Sequence, residues 1–268
     1  NINLFLRDNL QTLKIKSNNQ KSLSKKFDKI FAEIKNEIHD EKKTLNVLNN
    51  NFSFSFKIQE LKNFKKYKNV VLIGMGGSIL GAEAIYNFLQ PKIKKKFYFF
   101  NNLNEDEVTN FKKEINLSKV LFIIISKSGN TVETISNLIS LKIIKKSSQN
   151  IIIISEKSDN FLFSISKKLD LFFIEHKKFV GGRFSVLSEV GIIPAYLMGI
   201  NVIKLRKNLS KFLLSKNKNF LRDSTTKLAY FLKKNHFNNL VFLNYAPELE
   251  NFLYWYQQLI AESLGKKG

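Results

Sequence analysis

Cysteine is absent from this 268-residue chain. That excludes a disulfide framework, a thiolate metal site and a thiol nucleophile, and it fits the reducing interior of a cell, so the chain is read as cytoplasmic. Long apolar runs are missing too. The longest, Val120–Ile125, is far too short to span a bilayer. Residues 184–203 are greasier, but Glu189, Pro194 and two serines interrupt them, so they read as a buried helix rather than a membrane anchor. No charged, then apolar, then small-residue pattern opens the chain, and no secretory signal is visible. Arginine is scarce: only Arg7, Arg183, Arg206 and Arg222 stand among 44 basic residues. The formal charge of +22 is therefore almost all lysine, spread along the chain beside much Asn, Ile and Phe. Nucleic-acid readers rely on arginine forks and basic stripes, so no nucleic-acid partner is inferred; a positive field still steers anionic ligands.

What is present is globular, with 44% hydrophobic and 25% charged residues, enough for one large or two modest domains. The chain opens at Asn1 without methionine and closes at Gly268 after Gly-Lys-Lys, and reads as part of a longer protein. Residues 1–67 are lysine-rich and helical in pattern, with Phe27, Ile30, Phe31, Ile34 and Ile38 along one stripe. The alternating 52–56 run reads as a small strand or an extended connector. From 68 onward, short apolar runs alternate with helical ones. Strands are expected at 70–73, 96–100, 120–125, 151–154 and 171–174, with helices at 79–90, 105–113, 131–146, 159–168 and 183–200. Such alternation predicts an α/β fold, a parallel sheet covered by helices on both faces. Helical linkers at 204–235, a strand at 240–243 and a helix through Gln258 and Glu262 suggest the first unit of a second α/β domain.

Four segments could hold chemistry. Gly74-Met-Gly-Gly-Ser-Ile-Leu-Gly81 follows a strand, but a dinucleotide fingerprint would need glycine at Ile79, and 99–102 offers no acid for a ribose. It reads as a glycine turn that lets backbone N–H groups approach a ligand, with Ser78 at a helix start. The second, Ser126-Lys-Ser-Gly-Asn-Thr131, gathers hydroxyls and Lys127 at a helix start, an inventory suited to a phosphate dianion. In the third, the pair Gly181-Gly182 precedes Arg183 and lets its guanidinium turn towards a cleft. The fourth is the last helix, where Gln258 and Glu262 are four residues apart and share one face; Leu253, Tyr256 and Ile260 would hold the adjoining face to a core.

These segments, with Val180-Gly-Gly-Arg-Phe-Ser-Val-Leu-Ser188 and Trp255-Tyr-Gln-Gln-Leu-Ile-Ala-Glu-Ser-Leu-Gly-Lys266 written in full, resemble the glucose-6-phosphate isomerase family. The resemblance runs over about residues 70–268. It implies a three-layer, flavodoxin-like sugar-isomerase (SIS) domain at 68–203, an N-terminal helical segment at 1–67, and a linker plus the incomplete start of a second SIS domain at 204–268. It further implies that Ser126, Ser128 and Thr131 bind the sugar phosphate with Lys127 nearby, and that Gly77, Ser78 and Gln258 line the sugar site. Arg183 then stabilises an enediolate and Glu262 moves the proton between C2 and C1. The chemistry agrees, because aldose–ketose interconversion needs one ionised carboxylate and a fixed cation at the developing oxyanion. It needs no cofactor, and no metal-ligand pattern is visible.

The family also uses a later histidine, from a neighbouring subunit, and a lysine to open the sugar ring; a homodimer is thereby implied. Neither residue is in this sequence, so the 268-residue chain is expected to be inactive or impaired, by about two to four powers of ten on the cyclic sugar. His39, His176 and His236 lie outside the matching context and read as structural or surface residues. Two alternatives are carried: a dual phosphoglucose/phosphomannose isomerase, and a non-catalytic SIS-type sugar-phosphate regulator. The second would have no use for Glu262 and Arg183 together.

Overall fold

A computed structural model of the chain describes residues 17–207, 209, 218–234 and 239–265. The expected helical pattern before residue 17, His236, Lys266 and parts of the 204–235 linker lie outside the described residues.

The centre is one five-stranded sheet of β1 (Asn69–Gly74), β2 (Lys96–Phe100), β3 (Val120–Ile125), β4 (Ile151–Ser155) and β5 (Phe172–Glu175). Its order is β2-β1-β3-β4-β5 and every pairing is parallel, the flavodoxin-like arrangement. Parallel neighbours need crossovers, and those crossovers are the helices that cover the sheet. β3 lies fully buried because both of its faces are covered, which explains the unbroken Val-Leu-Phe-Ile-Ile-Ile run.

Alternate residues sort to the two faces. Leu72, Ile123, Ile125, Ile152 and Ile154 meet Ile79, Ala82, Val190, Ile193 and Leu197, from α2 (Leu80–Leu89), the residue before it, and α6 (Glu189–Leu197). Ile73, Phe122, Ile124 and Ile153 meet Val108, Phe111, Leu138, Leu141 and Leu162 of α3 (Glu105–Glu114), α4 (Val132–Leu141) and α5 (Phe161–Lys168). The predicted α/β three-layer fold stands.

Several boundaries differ from the sequence reading. α4 stops at Leu141 rather than near 146, because Lys142 takes a left-handed backbone (φ 53°) that ends the helix. The 183–200 helix divides into a 3-10 turn, Gly182–Leu187, and α6, with Ser188 capping α6 through its hydroxyl on the Val190 N–H. The 52–56 run is a connector, not a strand; Phe52 is buried and Phe54 and Phe56 are half-buried.

α1 (Ser17–His39) packs along α8 (Lys218–Lys233), and α7 is short (Val202–Arg206). The expected strand at 240–243 forms no regular element and has no ladder partner among the described residues. Leu240, Val241, Phe242 and Leu243 are all exposed there. The following helix α9 (Glu250–Leu264) packs on α2, yet none of its residues is fully buried. Leu253 and Ile260 face an open hollow of about 730 Å³, shared with Leu240, Phe242 and Tyr254, instead of the expected core.

Candidate active site

The site gathers at the C-terminal ends of β1 and β3, where the strand order reverses and the connections leave in opposite directions. Open α/β sheets bind ligands at such switch points. Two loops leave there, 74–79 after β1 and 126–131 after β3, and the first starts tightly packed: a side chain on Gly74 would meet the carbonyl of Ile125, its neighbour at the end of β3, and Ser78 Cβ.

The β3 loop turns its hydroxyls onto one another. Ser126, 2% exposed, has its Oγ 2.7 Å from Thr131 Oγ1 and 3.5 Å from Ser128 Oγ, and it accepts the Gly129 N–H at 3.1 Å. The Asn130 N–H is donated to Ser128 Oγ (3.3 Å). Thr131 stands at the N-cap of α4 without capping it, because its hydroxyl is engaged with Ser126. The turn depends on Gly129, whose φ is 68°; a Cβ there would sit 1.8 Å from Asn160 Oδ1. Asn160 is itself fixed as the α5 cap, accepting the Phe163 N–H and donating to the Glu156 carbonyl. Hydroxyls, free to rotate at a helix N-terminus, can redirect their protons to an incoming anion.

Lys127 does not join this cluster. Its ammonium donates to the Lys178 carbonyl (2.8 Å) and lies 3.6 Å from Glu156 Oε1, so it ties the β3 loop to the segment after β5. His176, beside that tie and 2% exposed, is a buried structural residue as expected. Burial lowers its pKa to about 4, and the nearby Lys127 charge pushes the same way against a hydrogen bond with the Lys177 carbonyl. His39 lies exposed at the end of α1.

The β1 loop meets the Arg183 loop back to back. A Cβ on Gly77 would stand 2.3 Å from the Gly182 carbonyl oxygen, so only glycine permits the contact. Ser185 Oγ lies 3.0 Å from the Gly77 carbonyl and 2.6 Å from that of Gly182, stitching both turns. Ser78 ends the 3-10 turn Gly76–Ser78 just before α2.

α9 closes the group. The Gln258 carboxamide lies against Gly76 and donates to Glu262 Oε1 at 2.8 Å, as their four-residue spacing predicts. Glu262 Oε2 lies 3.1 Å from Arg183 Nε, so two donors fix the carboxylate. Arg183 Nη1 also donates to Ser263 Oγ (2.7 Å), and Trp255 Nε1 donates to the Arg183 carbonyl (3.2 Å). The Gln258 Oε1 atom is buried with no hydrogen-bond partner among the described residues.

Arg183, Glu262, Gln258 and Gly77 thus converge, as do Ser126, Ser128 and Thr131, while Lys127 points elsewhere. Sequence reasoning assigned no role to Ser185, Trp255, Ser263 or Asn160. The first three stand inside the quoted motifs, but their function is to hold neighbouring loops, which only a folded contact reveals. Among the described residues no cluster of acidic or histidine side chains could hold a metal, and no helix is long and apolar enough to cross a membrane.

Known proteins resemble this chain in sequence and in fold. A relative from Methanococcus maripaludis is 32% identical over 279 residues, covering 98% of this chain and 63% of its own length. The glucose-6-phosphate isomerase of Methanocaldococcus jannaschii is 34% identical over 217 residues, 78% of this chain and 53% of that one. That of Acholeplasma laidlawii is 31% identical, with 87% and 62% covered. The chain therefore spans about half the length of the curated relatives it matches. In fold it is similar to a hypothetical protein of Thermus thermophilus (TM-score 0.73, 22% identity, 93% of this chain and 63% of that one). It is also similar to a glucose-6-phosphate isomerase of Chlamydia trachomatis (TM-score 0.63, 22% identity, 77% and 43%). The phosphoglucose isomerase family profile matches residues 27–267, and the chain belongs to that family.

Proposed function

We propose that this chain carries the proton-transfer half of an aldose–ketose isomerase that interconverts glucose 6-phosphate and fructose 6-phosphate. The observation that carries the reading is the Glu262 carboxylate held between Gln258 Nε2 (2.8 Å) and Arg183 Nε (3.1 Å) beside a glycine-lined turn. A carboxylate fixed in this way can take a proton from C2 of the open-chain aldose and return it to C1, while the C2 hydroxyl proton passes to the C1 oxygen, so atoms and charge balance. Arg183 is adjacent to receive the negative charge that develops on the enediolate oxygen. The Ser126, Ser128 and Thr131 hydroxyls at the α4 N-terminus take the phosphate, with Gly77 and Ser78 lining the sugar between. Lys127 contributes by bracing the phosphate loop, since its ammonium is committed to Lys178 and Glu156.

The reading extends to architecture. Residues 68–203 form one SIS domain, and 239–265, with their exposed apolar strand-like segment, open a second. A cytoplasmic homodimer, with ring opening supplied by groups outside this sequence, follows from the family resemblance.

Proton transfer on the open-chain ketose needs no ring-opening group, which makes the step testable on this chain alone. Incubated with fructose 6-phosphate in D₂O, the protein is expected to exchange a C1 proton for deuterium, read by proton NMR, and Glu262→Gln is expected to stop the exchange. Exchange at the parent rate in the Gln variant would remove Glu262 from the mechanism.

A further inference from the structure

The Val180-to-Ser188 loop that presents Arg183 has no strand or α-helix ladder to hold it; a 3-10 turn, Gly182–Leu187, entered through Gly181, makes up most of it. Something else must fix its position, and the structure shows a cluster behind it that the sugar site does not use. Arg206, in the last turn of α7 and only 6% exposed, points its guanidinium into that space. It donates to three backbone carbonyls: Leu187, at the end of the loop, Val47 (3.0 Å) and Asn49 (2.8 Å). The Phe52 and Phe54 rings lie 5.2 and 5.1 Å from its guanidinium carbon. The other end of the loop is tied to the same segment, because Thr44 Oγ1 donates to the Phe179 carbonyl at 2.6 Å. Beyond Leu187, Glu189 Oε1 accepts the Ser55 N–H (2.8 Å), while its Oε2 is buried without a hydrogen-bond partner. Val47, Phe52 and Val180 form the small apolar core between segment and loop.

We propose that Arg206 is a positioning residue for Arg183: by joining the carbonyls of Leu187, Val47 and Asn49 it locks the Arg183 loop to residues 44–55 and sets where that guanidinium meets the substrate. The inference rests on the proposed role of Arg183. The chemistry explains why arginine stands here. Its planar fork offers five donors in fixed directions and lies flat between aromatic faces, whereas a lysine ammonium is a point donor on a flexible stem. Glu189 acts on this cation through its charge and makes no salt bridge to it among the described residues, so the hydrogen bonds come from carbonyls. An apolar side chain would fill the space but leave three carbonyls without this donor.

The molecule carries its own reporter. Trp255 is the only tryptophan, and its indole donates to the Arg183 carbonyl. The variants are Arg206→Lys and, should it fold, Arg206→Met, with Phe111→Ala in the opposite layer as a control for general loss of stability. Each is followed by far-UV circular dichroism, Trp255 emission and titration with fructose 6-phosphate and with inorganic phosphate. Arg206→Lys is expected to keep the circular dichroism spectrum and shift Trp255 emission to longer wavelength. Its affinity for fructose 6-phosphate should fall roughly ten- to a hundredfold, with phosphate affinity unchanged. Phe111→Ala should move neither emission nor the preference for the sugar. Unchanged emission and sugar affinity in the Arg206 variants would overturn the proposal, as would the same changes in Phe111→Ala at an equal loss of stability. Should the parent protein bind fructose 6-phosphate no better than phosphate, the sugar-site reading fails, while the Trp255 shift still decides whether Arg206 places the loop.

Discussion

Protonating His176 is expected to weaken the fold by a calculable amount. The imidazole is 2% exposed at the end of β5, where its backbone N–H is donated to the Ser155 carbonyl (2.7 Å) and its Nδ1 faces the Lys177 carbonyl (3.1 Å). Burial lowers its pKa from 6.5 to about 4. The unfolded chain therefore binds a proton at a pH where the folded chain does not. The stabilisation from the neutral ring is complete above 6.5, declines as pH falls below it, and is exhausted below about 4. The full loss is about 3 kcal/mol, and about 2 kcal/mol of it is expressed by pH 5. Glu83 and Glu189 act in the opposite sense, because burial raises their carboxyl pKa values. They favour the fold at low pH and lose that contribution as pH rises through their folded values. A single-protein pH profile mixes these effects, so the measurement is a difference. His176→Asn keeps a neutral amide donor near Nδ1 and cannot titrate. Urea unfolding of both proteins, followed by circular dichroism at pH 8, 6 and 5, gives two stability curves. The variant starts lower by about 1–2 kcal/mol for its lost packing, and the gap should close by about 2 kcal/mol between pH 8 and 5. A gap that stays constant would show that the ring is charged or solvated in the fold, and the account of β5's end would be wrong.

Other substitutions probe the site piece by piece. Thr131→Val removes the hydroxyl 2.7 Å from Ser126 Oγ; phosphate affinity measured by calorimetry should fall, with a stability loss of about 1 kcal/mol. Gly77→Ala forces a methyl to within 2.3 Å of the Gly182 carbonyl. A loss of about 1–3 kcal/mol in thermal unfolding is expected, with weaker fructose 6-phosphate binding and intact phosphate binding. Arg183→Met keeps the stem but removes the cation, so deuterium exchange should slow by about two powers of ten or more while phosphate affinity holds.

The sheet was legible because its central strands are buried on both faces: the apolar runs at 70–73, 120–125 and 151–154 can be little else at that length, and the half-buried aromatic run at 97–100 marks an edge. The helix ends were less so. Nothing in Leu141-Lys142 marks a stop, since lysine seldom takes the left-handed backbone that ends α4. The 240–243 run has strand composition, but a strand is a property of a pair, and its partner is not among the described residues. At the site, the Gln258–Glu262 pair followed from helical spacing alone. Lys127 did not follow: its neighbours in sequence are loop hydroxyls, and its partners, Glu156 and Lys178, come from other strands' ends. Ser185 and Trp255 were hidden for the same reason, each bonding to backbone that the fold brings from far along the chain.

The resting Arg183–Glu262 contact bears on how the proposed reaction can run. A base bonded to a cation is a poor base, yet this pair sits at the surface, its side chains 21% and 49% exposed. Such pairs are worth about 0–1 kcal/mol, because water and salt already screen them. Substrate can therefore separate the two groups at little cost. Once the sugar excludes water, the same guanidinium acts in a lower dielectric on a charge that exists only at the enediolate. Gln258 keeps one carboxylate oxygen in place while the other is released, so the base does not swing free when it loses the arginine. In the proposed site the phosphate meets the hydroxyls of a separate loop, so its affinity would not depend on this exchange. A weak contact at rest and a strong one at the transition state is the difference that accelerates a reaction rather than merely tightening binding.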